Sequence, residues 1–269
     1  MKKSNVTMLI LSCDKFSDLW DGHIKLLEKN WDDRNMLTYM VTEGKEEKKY
    51  KNVSFIKTGE NLEWSERLAY ALNKVETEYV FVTLDDYYLV EKVDNDKINK
   101  ILSLMNEHQL DYVRLFKRPT KATKKEVVKD SKVKWIDTKI KYSVNLYAGI
   151  WRRDFLLSMI TKKKNAWQFE VGLSKNASLY GARCAVSGNN EFQILDVVRK
   201  GKLLHKAAKY FKKHPGIYEG NRKVQTWSYE IKLGIRTLIS RHMPSSIYPF
   251  VKKVTKKMGY IFFSDEVEK

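Results

Sequence analysis

The segment most informative about the fold is Val80-Phe-Val-Thr-Leu-Asp-Asp-Tyr-Tyr-Leu89, in which an apolar run ends in two adjacent carboxylates. The run has the length and the continuous apolar character of a strand that is buried on both faces. Such strands are typical of parallel sheets, in which ligands bind beyond the carboxyl ends of the strands. Asp85 and Asp86 therefore fall where a ribose or a phosphate-bound Mg²⁺ or Mn²⁺ would lie. An aspartate pair that opens a turn or caps a helix would give the same pattern.

Strand-like and helix-like segments alternate around this strand. Residues 6–12 form another continuous apolar run, which ends in Cys13 and Asp14. The alternation predicts an α/β fold with a mostly parallel sheet flanked by helices, and it places Asp14 at the same sheet edge as Asp85. The predicted strands lie at 6–12, 37–42, 53–58, 79–84, 111–116 and 133–140, and the predicted helices at 18–30 (with Asp18 as N-cap), 64–75, 98–108, 154–162 and 202–213.

The rest of the chain is predicted to be a loop and a basic tail. Residues 117–134 are polar, rich in lysine and aperiodic, which indicates an exposed loop that could serve as a lid. Residues 216–269 are predicted to form a basic amphipathic helical C-terminal region, with helical segments at 227–243 and 247–262. The first segment has an apolar face and a basic face, formed by Trp227, Ile231, Gly234, Ile235, Leu238 and Ile239 opposite Lys232, Arg236 and Arg241.

The chain carries an excess of positive charge. Lys and Arg number 51 against 33 Asp and Glu, so the net charge of the 269 residues is +18. Such a charge attracts nucleic acid, anionic lipid or phosphate-bearing substrates. A basic nucleic-acid-binding protein is the less favoured reading, because the chain lacks RRM, KH, helix-turn-helix and zinc-finger patterns. Carboxylates at the sheet edge would also repel phosphate unless a metal intervened. We therefore expect no nucleic-acid partner.

Missing motifs exclude other classes. The sequence has neither GxGxxG nor GxxxxGK[ST], which argues against dinucleotide enzymes and P-loop NTPases. Its two cysteines, Cys13 and Cys184, offer no disulfide framework and no zinc site. The apolar run at 6–11 is too short for a signal peptide, and no stretch approaches the roughly 18 apolar residues of a membrane span. These features predict a cytoplasmic protein.

A second chemical signal is Trp167-Gln-Phe-Glu170. An acidic residue between two aromatic side chains is expected to have a raised pKa, as a general base that works near neutral pH requires. Aromatic rings are also platforms for the apolar faces of sugars. Alternatively, Trp167 and Phe169 are core residues and Glu170 forms an ion pair.

Several stretches, taken in order, resemble the GT-A glycosyltransferases of bacterial capsule, O-antigen and exopolysaccharide clusters. The resemblance spans about residues 6 to 215. Its stretches are Leu9-Ile-Leu-Ser-Cys-Asp-Lys-Phe16, Trp64-Ser-Glu-Arg-Leu68, Leu84-Asp-Asp-Tyr-Tyr-Leu89, Ala148-Gly-Ile-Trp-Arg-Arg-Asp-Phe-Leu156 with Trp167-Gln-Phe-Glu170, and Arg199-Lys-Gly-Lys202. It implies a catalytic domain at 1–215, with a nucleotide-sugar half at about 1–117 and an acceptor half at about 132–215.

The resemblance also implies roles for individual residues. Glu170 would be the catalytic base of an inverting transfer, and Trp151 and Trp167 would shape the acceptor site. Asp85 and Asp86 would occupy the DxD site of the family. The other donor-site residues would be Ser12, Cys13 and Asp14 at the nucleobase, Trp64, Ser65 and Arg67 at the nucleotide, with Arg67 near the diphosphate, and Asp111 and Arg114 as further candidates.

The sequence departs from the family pattern at two positions. The DxD motif becomes Asp85-Asp86-Tyr87, so the metal-binding carboxylate is Asp86 or is missing, and Lys or Arg could neutralise the diphosphate instead of Mn²⁺ or Mg²⁺. Tyr147 stands where many relatives have glutamine.

The implied activity is hexose transfer, with a galactose-type UDP-sugar as the expected donor and a lipid-linked oligosaccharide as the acceptor. A retaining glycosyltransferase or a nucleotidyltransferase on the same fold is the alternative. The basic tail is expected to lie on the anionic inner face of the plasma membrane, or to pack on the domain or in a homodimer.

Overall fold

The computed structural model describes residues 5–45, 49–116 and 122–242. The strands are β1 Val6–Leu11, β2 Thr38–Thr42, β3 Ser54–Lys57, β4 Tyr79–Leu84, β5 Tyr87–Leu89, β6 Tyr112–Arg114, β7 Thr123–Glu126, β8 Val133–Ile136, β9 Gly149–Arg152, β10 Cys184–Ser187, β11 Ile194–Asp196, β12 Val198–Arg199 and β13 Lys202–Leu203. Nine of them form one sheet, in the order β3-β2-β1-β4-β9-β6-β10-β8-β7. The helices are α1 Trp20–Asn30, α2 Trp64–Asn73, α3 Asn95–Glu107, α4 Arg153–Ser158, α5 Ala166–Tyr180, α6 His205–Lys213 and α7 Trp227–His242.

Most strands of the large sheet run in one direction. β3, β2, β1 and β4 are parallel neighbours, and β6 and β10 continue in the same direction beyond β9. β9 and β8 run the other way. The predicted α/β class, with a mostly parallel sheet flanked by helices, is confirmed. The chain passes from β1 to β2 and β3 and then adds β4 on the other side of β1. The carboxyl ends of β1 and β4 therefore form a topological switch point, where such sheets bind ligands.

Helices cover both faces of the sheet. Successive side chains of a strand point to opposite faces. Met8 and Phe81 pack in one cluster with α1 and α3, whereas Leu9 and Val82 pack in the other with α2, α4 and α5. Burial of each such side chain contributes roughly 1.5–3 kcal/mol. Because β1 and β4 are covered on both sides, each is apolar except for one buried threonine, which explains the continuous apolar runs that predicted these strands.

Two small sheets extend the switch-point edge. β5 pairs antiparallel with β11, and β12 pairs antiparallel with β13. α6 packs on this extension in a third apolar cluster, which includes Tyr88, Leu195 and Phe211. The cluster holds β11 against β5, the strand that directly follows the Asp85-Asp86 turn.

The structure corrects several predicted bounds. A short 3-10 helix, Asp14–Leu19, precedes α1, so Asp18 is not its N-cap. The segment predicted as a loop at 117–134 contains β7 and the start of β8, which pair antiparallel, while residues 117–121 lie outside the described part. The helix predicted at 154–162 ends at Ser158, and the strand predicted at 133–140 ends at Ile136.

The residues before α7 are fastened to the sheet domain. Arg222 donates from Nε and Nη2 to the Asp18 carboxylate at 2.7 and 2.6 Å, and its guanidinium lies 4.5 Å from the centre of the Phe16 ring. Gly22 is required by close approach, because a Cβ there would clash with the Ile217 carbonyl oxygen. The division at residue 215 stays a prediction, and these contacts tie the residues beyond it to the first domain.

The second predicted tail segment, at 247–262, lies outside the described residues. Within residues 5–45, 49–116 and 122–242, no helix has the length and apolar character that crossing a bilayer requires.

Candidate active site

The carboxyl ends of β1 and β4 are joined by a buried hydrogen-bond chain. The Trp20 indole Nε1 donates to the Ser12 hydroxyl at 2.6 Å, and that hydroxyl donates to Asp85 Oδ2. On the other side of the turn, His23 Nδ1 lies 3.2 Å from the Asp85 carbonyl oxygen. The sequence placed Ser12 and Asp85 at one site, and the structure brings them into contact.

The Asp85-Asp86 turn holds carboxyl groups in apolar surroundings. Burial raises the pKa of Asp85 to about 7, although the Ser12 hydroxyl opposes the shift. Burial, followed by the charges of Asp85 and Asp196, raises the pKa of Asp86 well above its usual range. Asp86 Oδ1 is buried and accepts no hydrogen bond from the described residues. The turn is therefore a place where a bound cation would relieve both charge repulsion and an unsatisfied oxygen.

Asp14 fixes the loop that follows β2. Its carboxylate accepts the backbone N–H groups of Glu43, Gly44 and Lys45 at 2.9 to 3.4 Å. Glu43 in turn forms an ion pair with Arg67, which α2 supplies. Cys13 is half-buried between these groups, and burial raises the pKa of its thiol to about 11. Asp14 and Arg67 thus form one wall of the candidate site, and Cys13 lies beside them as a neutral thiol.

A cavity of about 460 Å³ opens between the N-termini of α2 and α5. Trp64 and Arg67 line one side of it, and Trp167 lines the other. The Trp167 side chain is 50% exposed, whereas Phe169 is buried and lies with its ring 5.4 Å from that of Trp64. Trp167 therefore offers a free aromatic surface inside a cavity of the size that small ligands use.

Glu170 lies at the same sheet edge as the aspartate turn. The Leu146 backbone N–H donates to Glu170 Oε1 at 3.2 Å. Leu146 precedes β9, in which Gly149 pairs with Val82 of β4 in antiparallel register. The segment that holds Glu170 therefore runs past the carboxyl end of β4. The raised pKa that the sequence predicts for Glu170 stays a prediction.

Stacked aromatic rings connect the segment that binds Glu170 to the Asp85-Asp86 turn. Tyr147, next to Leu146, stacks on Tyr87 with ring centres 5.7 Å apart and planes at 15°. Tyr87 directly follows Asp86. Phe116 lies 5.3 Å from Tyr147 and extends the same stack. Tyr147, which stands in place of the expected glutamine, thus packs against Tyr87, the third residue of the Asp85-Asp86-Tyr87 motif.

An acidic and a basic residue from the later strands complete this edge. Arg199 donates from Nε and Nη2 to Asp196 Oδ2 at 3.0 and 2.6 Å. The charges of Asp196 and Asp86 both help to raise the pKa of Arg199 above its usual range. Asp196 and Arg199 therefore belong to the electrostatic surroundings of Asp86.

Three predicted site residues lie elsewhere. Ser65 is fully buried, donating to the Lys162 carbonyl at 3.1 Å and accepting the Lys164 N–H at 2.9 Å, so it does not face a nucleotide. Trp151 is fully buried with its ring 3.9 Å from that of Tyr112, and a buried ring offers no face to an acceptor. Asp111 precedes β6 and accepts from Arg183 N–H at the opposite edge of the sheet. Arg114, by contrast, lies buried at the carboxyl end of β6, and its role in donor binding stays a prediction.

Sequence reasoning missed Glu43 and Asp196. Glu43 had a detectable signal, because it directly follows the second strand, as Asp14 and Asp85 follow theirs. Asp196 had none, since it depends on the pairing of β11 with β5, which lie far apart in the chain.

The described residues contain no group of three or more His, Cys, Asp and Glu side chains that could hold a metal ion. Mg²⁺ commonly binds through one or two carboxylates and completes its shell with substrate phosphates and water. The buried, unpaired Oδ1 of Asp86 fits that mode of binding. A divalent cation held there by Asp86 would supply positive charge at this edge of the sheet.

Comparisons with known proteins give low similarities. No protein-family model and no curated protein matches the chain. S. aureus TarS 1–349 in complex with UDP-GlcNAc superposes with a TM-score of 0.47 at 15% identity, over 74% of this chain and 60% of that one. The bifunctional IspDF from Campylobacter jejuni gives 0.42 at 18% identity, over 72% of this chain and 52% of that one. A cytidylyltransferase from Leptospira borgpetersenii serovar Hardjo-bovis gives 0.42 at 10% identity, over 82% and 99%. The chain spans about half the length of IspDF. Similarities at this level do not assign an activity.

Proposed function

We propose that the chain is an inverting glycosyltransferase that uses a nucleotide-sugar donor. The observation that carries the proposal is the placement of Glu170 and the Asp85-Asp86 turn at one sheet edge, linked by Leu146, Tyr147 and Tyr87. A carboxylate that can take a proton thus lies at the edge where carboxylates, with or without a cation, would hold a diphosphate.

The proposed reaction is a single displacement. Glu170 takes the proton of the acceptor hydroxyl, and the oxygen attacks the anomeric carbon. The bond from that carbon to the diphosphate oxygen breaks, and the nucleoside diphosphate leaves with the electron pair. The hydrogen bond from Leu146 N–H fixes the Glu170 carboxylate for this role. A divalent cation on Asp86 would stabilise the leaving diphosphate.

The acceptor is proposed to stack on Trp167. The ring lies three residues before Glu170 on α5, and positions i and i+3 share a helix face. A sugar on the exposed ring would present a hydroxyl toward Glu170. For the donor we propose a UDP-sugar of the galactose type, and for the acceptor a lipid-linked oligosaccharide.

A membrane-bound acceptor agrees with the surface of α7. Trp227, Ile231, Ile235 and Leu238 are exposed there at intervals of one helical turn. Exposed lysines of α6, Lys206, Lys209, Lys212 and Lys213, lie in the same region of the chain. Apolar and basic side chains together are what an anionic lipid surface attracts.

Replacement of the proposed base tests the function. Glu170→Gln keeps the hydrogen bond from Leu146 N–H but cannot take a proton, so turnover should fall by roughly 10²–10⁴-fold while UDP affinity is unchanged. Turnover is measured with UDP-, GDP-, dTDP- and CMP-sugars, with and without Mn²⁺. Glu107→Gln, on the exposed end of α3, is the control and should leave turnover unchanged.

Three outcomes contradict the proposal. A Glu170→Gln protein that keeps a third of the wild-type rate removes Glu170 as the base. A product of retained anomeric configuration, or release of pyrophosphate from a nucleoside triphosphate, would identify the retaining or nucleotidyl-transfer alternative.

A further inference from the structure

The third position of the carboxylate motif is occupied by Tyr87, so the motif itself supplies no acid there. The strand pairing supplies one. In the antiparallel pair of β5 and β11, Asp196 is the residue directly opposite Tyr87. The Val197 N–H donates to the Asp86 carbonyl oxygen at 2.9 Å, which ties the two chain segments together at this point. A carboxylate from a distant part of the chain therefore lies beside the position at which the motif lacks one.

Asp85 and Asp196 place negative charge beside Asp86, and Arg199 donates two hydrogen bonds to Asp196. A nucleoside diphosphate would add further negative charge at the same edge. A divalent cation between the carboxylates and the diphosphate would offset this negative charge.

We propose that Asp196 is the second protein ligand of a divalent cation whose first ligand is Asp86, and that β11 thereby replaces the missing third position of the motif. The inference rests on the proposed nucleotide-sugar site. With two protein carboxylates, the remaining ligands are diphosphate oxygens and water, in agreement with the small number of acids at the site.

Arg199 acts as a positioning residue in this arrangement. Both of its hydrogen bonds go to Asp196 Oδ2, and the Gln225 side chain donates to its backbone carbonyl at 2.8 Å. The guanidinium therefore fixes the orientation of the Asp196 carboxylate. The same ion pair suggests a simpler role for Asp196, in which it only anchors Arg199. If Asp196 binds the cation, only loss of Asp196 should strongly lower Mn²⁺ affinity. If Asp196 only anchors Arg199, loss of Arg199 should lower it as much.

The test is direct titration of the full chain with Mn²⁺ in the presence of UDP, with free Mn²⁺ followed by electron paramagnetic resonance. Asp196→Asn keeps the shape of the side chain and can still accept from Arg199, but it loses the charge. We expect Mn²⁺ affinity to fall at least about tenfold. Asp86→Asn should give a loss at least as large. Asp154→Asn is the matched control, because Asp154 also pairs with an arginine, Arg153, but lies on α4 away from the site.

Arg199→Gln separates the two roles. It removes the ion pair that orients the Asp196 carboxylate but keeps the carboxylate itself, so Mn²⁺ affinity should fall by no more than about threefold. The proposal is overturned if Asp196→Asn binds Mn²⁺ as wild type does, or if Arg199→Gln loses as much affinity as Asp196→Asn. Thermal melting of each variant confirms that it is folded.

Calorimetric titration with UDP in EDTA distinguishes failure of the inference from failure of the proposed function. Wild-type protein that binds UDP but shows no UDP-dependent Mn²⁺ binding overturns the cation site and leaves the nucleotide-sugar site in place. Wild-type protein that binds no UDP, with or without Mn²⁺, contradicts the nucleotide-sugar site itself.

Discussion

Among single residues, the buried His23 has the clearest expected effect on how stability depends on pH. Its ring is fully buried beneath the Asp85 turn. Burial lowers the pKa of His23 to about 4, and the charge of Arg34 acts in the same direction, while the contact with the Asp85 carbonyl opposes them. The unfolded chain, with the ordinary value of 6.5, binds the proton more tightly than the folded chain. The contribution of the buried, neutral His23 ring to the free energy of unfolding is therefore complete above pH 6.5 and is lost as the pH falls toward 4.

We expect a difference between wild type and His23→Gln in how stability depends on pH. Between pH 7.5 and 5, protonation of the unfolded state should cost the wild type roughly 2 kcal/mol of unfolding free energy that the variant does not lose. Urea unfolding of both proteins at the two pH values measures the difference. Equal pH dependence in the two proteins would show that His23 titrates normally in the folded state.

The same scale shows which parts of the site the sequence could predict. Ser12, Asp14 and Asp85 were predictable, because each follows a continuous apolar strand and parallel strands end at a common edge. Trp151 and Trp167 were not distinguishable by sequence. One lies on a central strand, with both faces covered, and the other on the first turn of a helix that borders a cavity. Whether an aromatic ring belongs to the core or can stack on a sugar depends on which other residues cover it in the folded protein.

At the scale of elements, Ser65 links the start of α2 to the loop that leads into α5. Its hydroxyl is bonded on both sides to the backbone of that loop. Ser65→Ala leaves the partly buried Lys164 N–H without its hydrogen-bond acceptor, so we expect the unfolding free energy to fall by about 1–3 kcal/mol with little change in UDP affinity. Urea unfolding and calorimetry measure the two quantities.

Ser158→Ala provides the comparison for this prediction. The Ser158 hydroxyl also donates to a backbone carbonyl, that of Phe155, but it lies exposed at the end of α4. Its loss should change the unfolding free energy by less than about 0.5 kcal/mol. A Ser65→Ala protein of unchanged stability and weakened UDP affinity would contradict the structural role and support the nucleotide contact that the sequence predicted.

The predicted elements differ in accuracy for physical reasons. The predicted bounds of β4 agree with the structure, because both of its faces are buried and the apolar run ends sharply at Asp85. β7 was missed, because its residues Thr123–Glu126 form an edge strand whose side chains are half-buried or exposed. An edge strand of this composition has no apolar alternation, so only its pairing partner reveals it.

At the scale of the whole molecule, the site depends on pairings between distant segments. The sequence pattern predicted a mostly parallel sheet, and the structure adds the strand order β3-β2-β1-β4. The antiparallel insertion of β9 between β4 and β6 was not predictable, although it is what carries Leu146 to Glu170. The α/β class could thus be derived from periodicity, whereas the contact between Leu146 and Glu170 could not.

Substitutions on the exposed apolar face of α7 test whether the protein binds a membrane. Ile231 and Leu238 are 58% and 60% exposed, and water-exposed apolar side chains on one helix face gain free energy when they enter a lipid interface. The double change Ile231→Asp with Leu238→Asp should lower binding to phosphatidylglycerol vesicles at least about tenfold in a sedimentation assay. Added salt should weaken wild-type binding to the vesicles, because it screens the attraction between basic side chains and anionic lipid. The Debye length is about 8 Å at physiological ionic strength.

Leu179→Asp is the matched control for that experiment, since Leu179 is 78% exposed on α5 and should leave vesicle binding unchanged. Vesicle binding that ignores the double change in α7, or the phosphatidylglycerol content, contradicts a lipid-facing α7. Sedimentation velocity of wild type and double variant then identifies the alternative occupant of this face. A dimer that becomes a monomer in the double variant would assign the apolar face of α7 to a second copy of the chain.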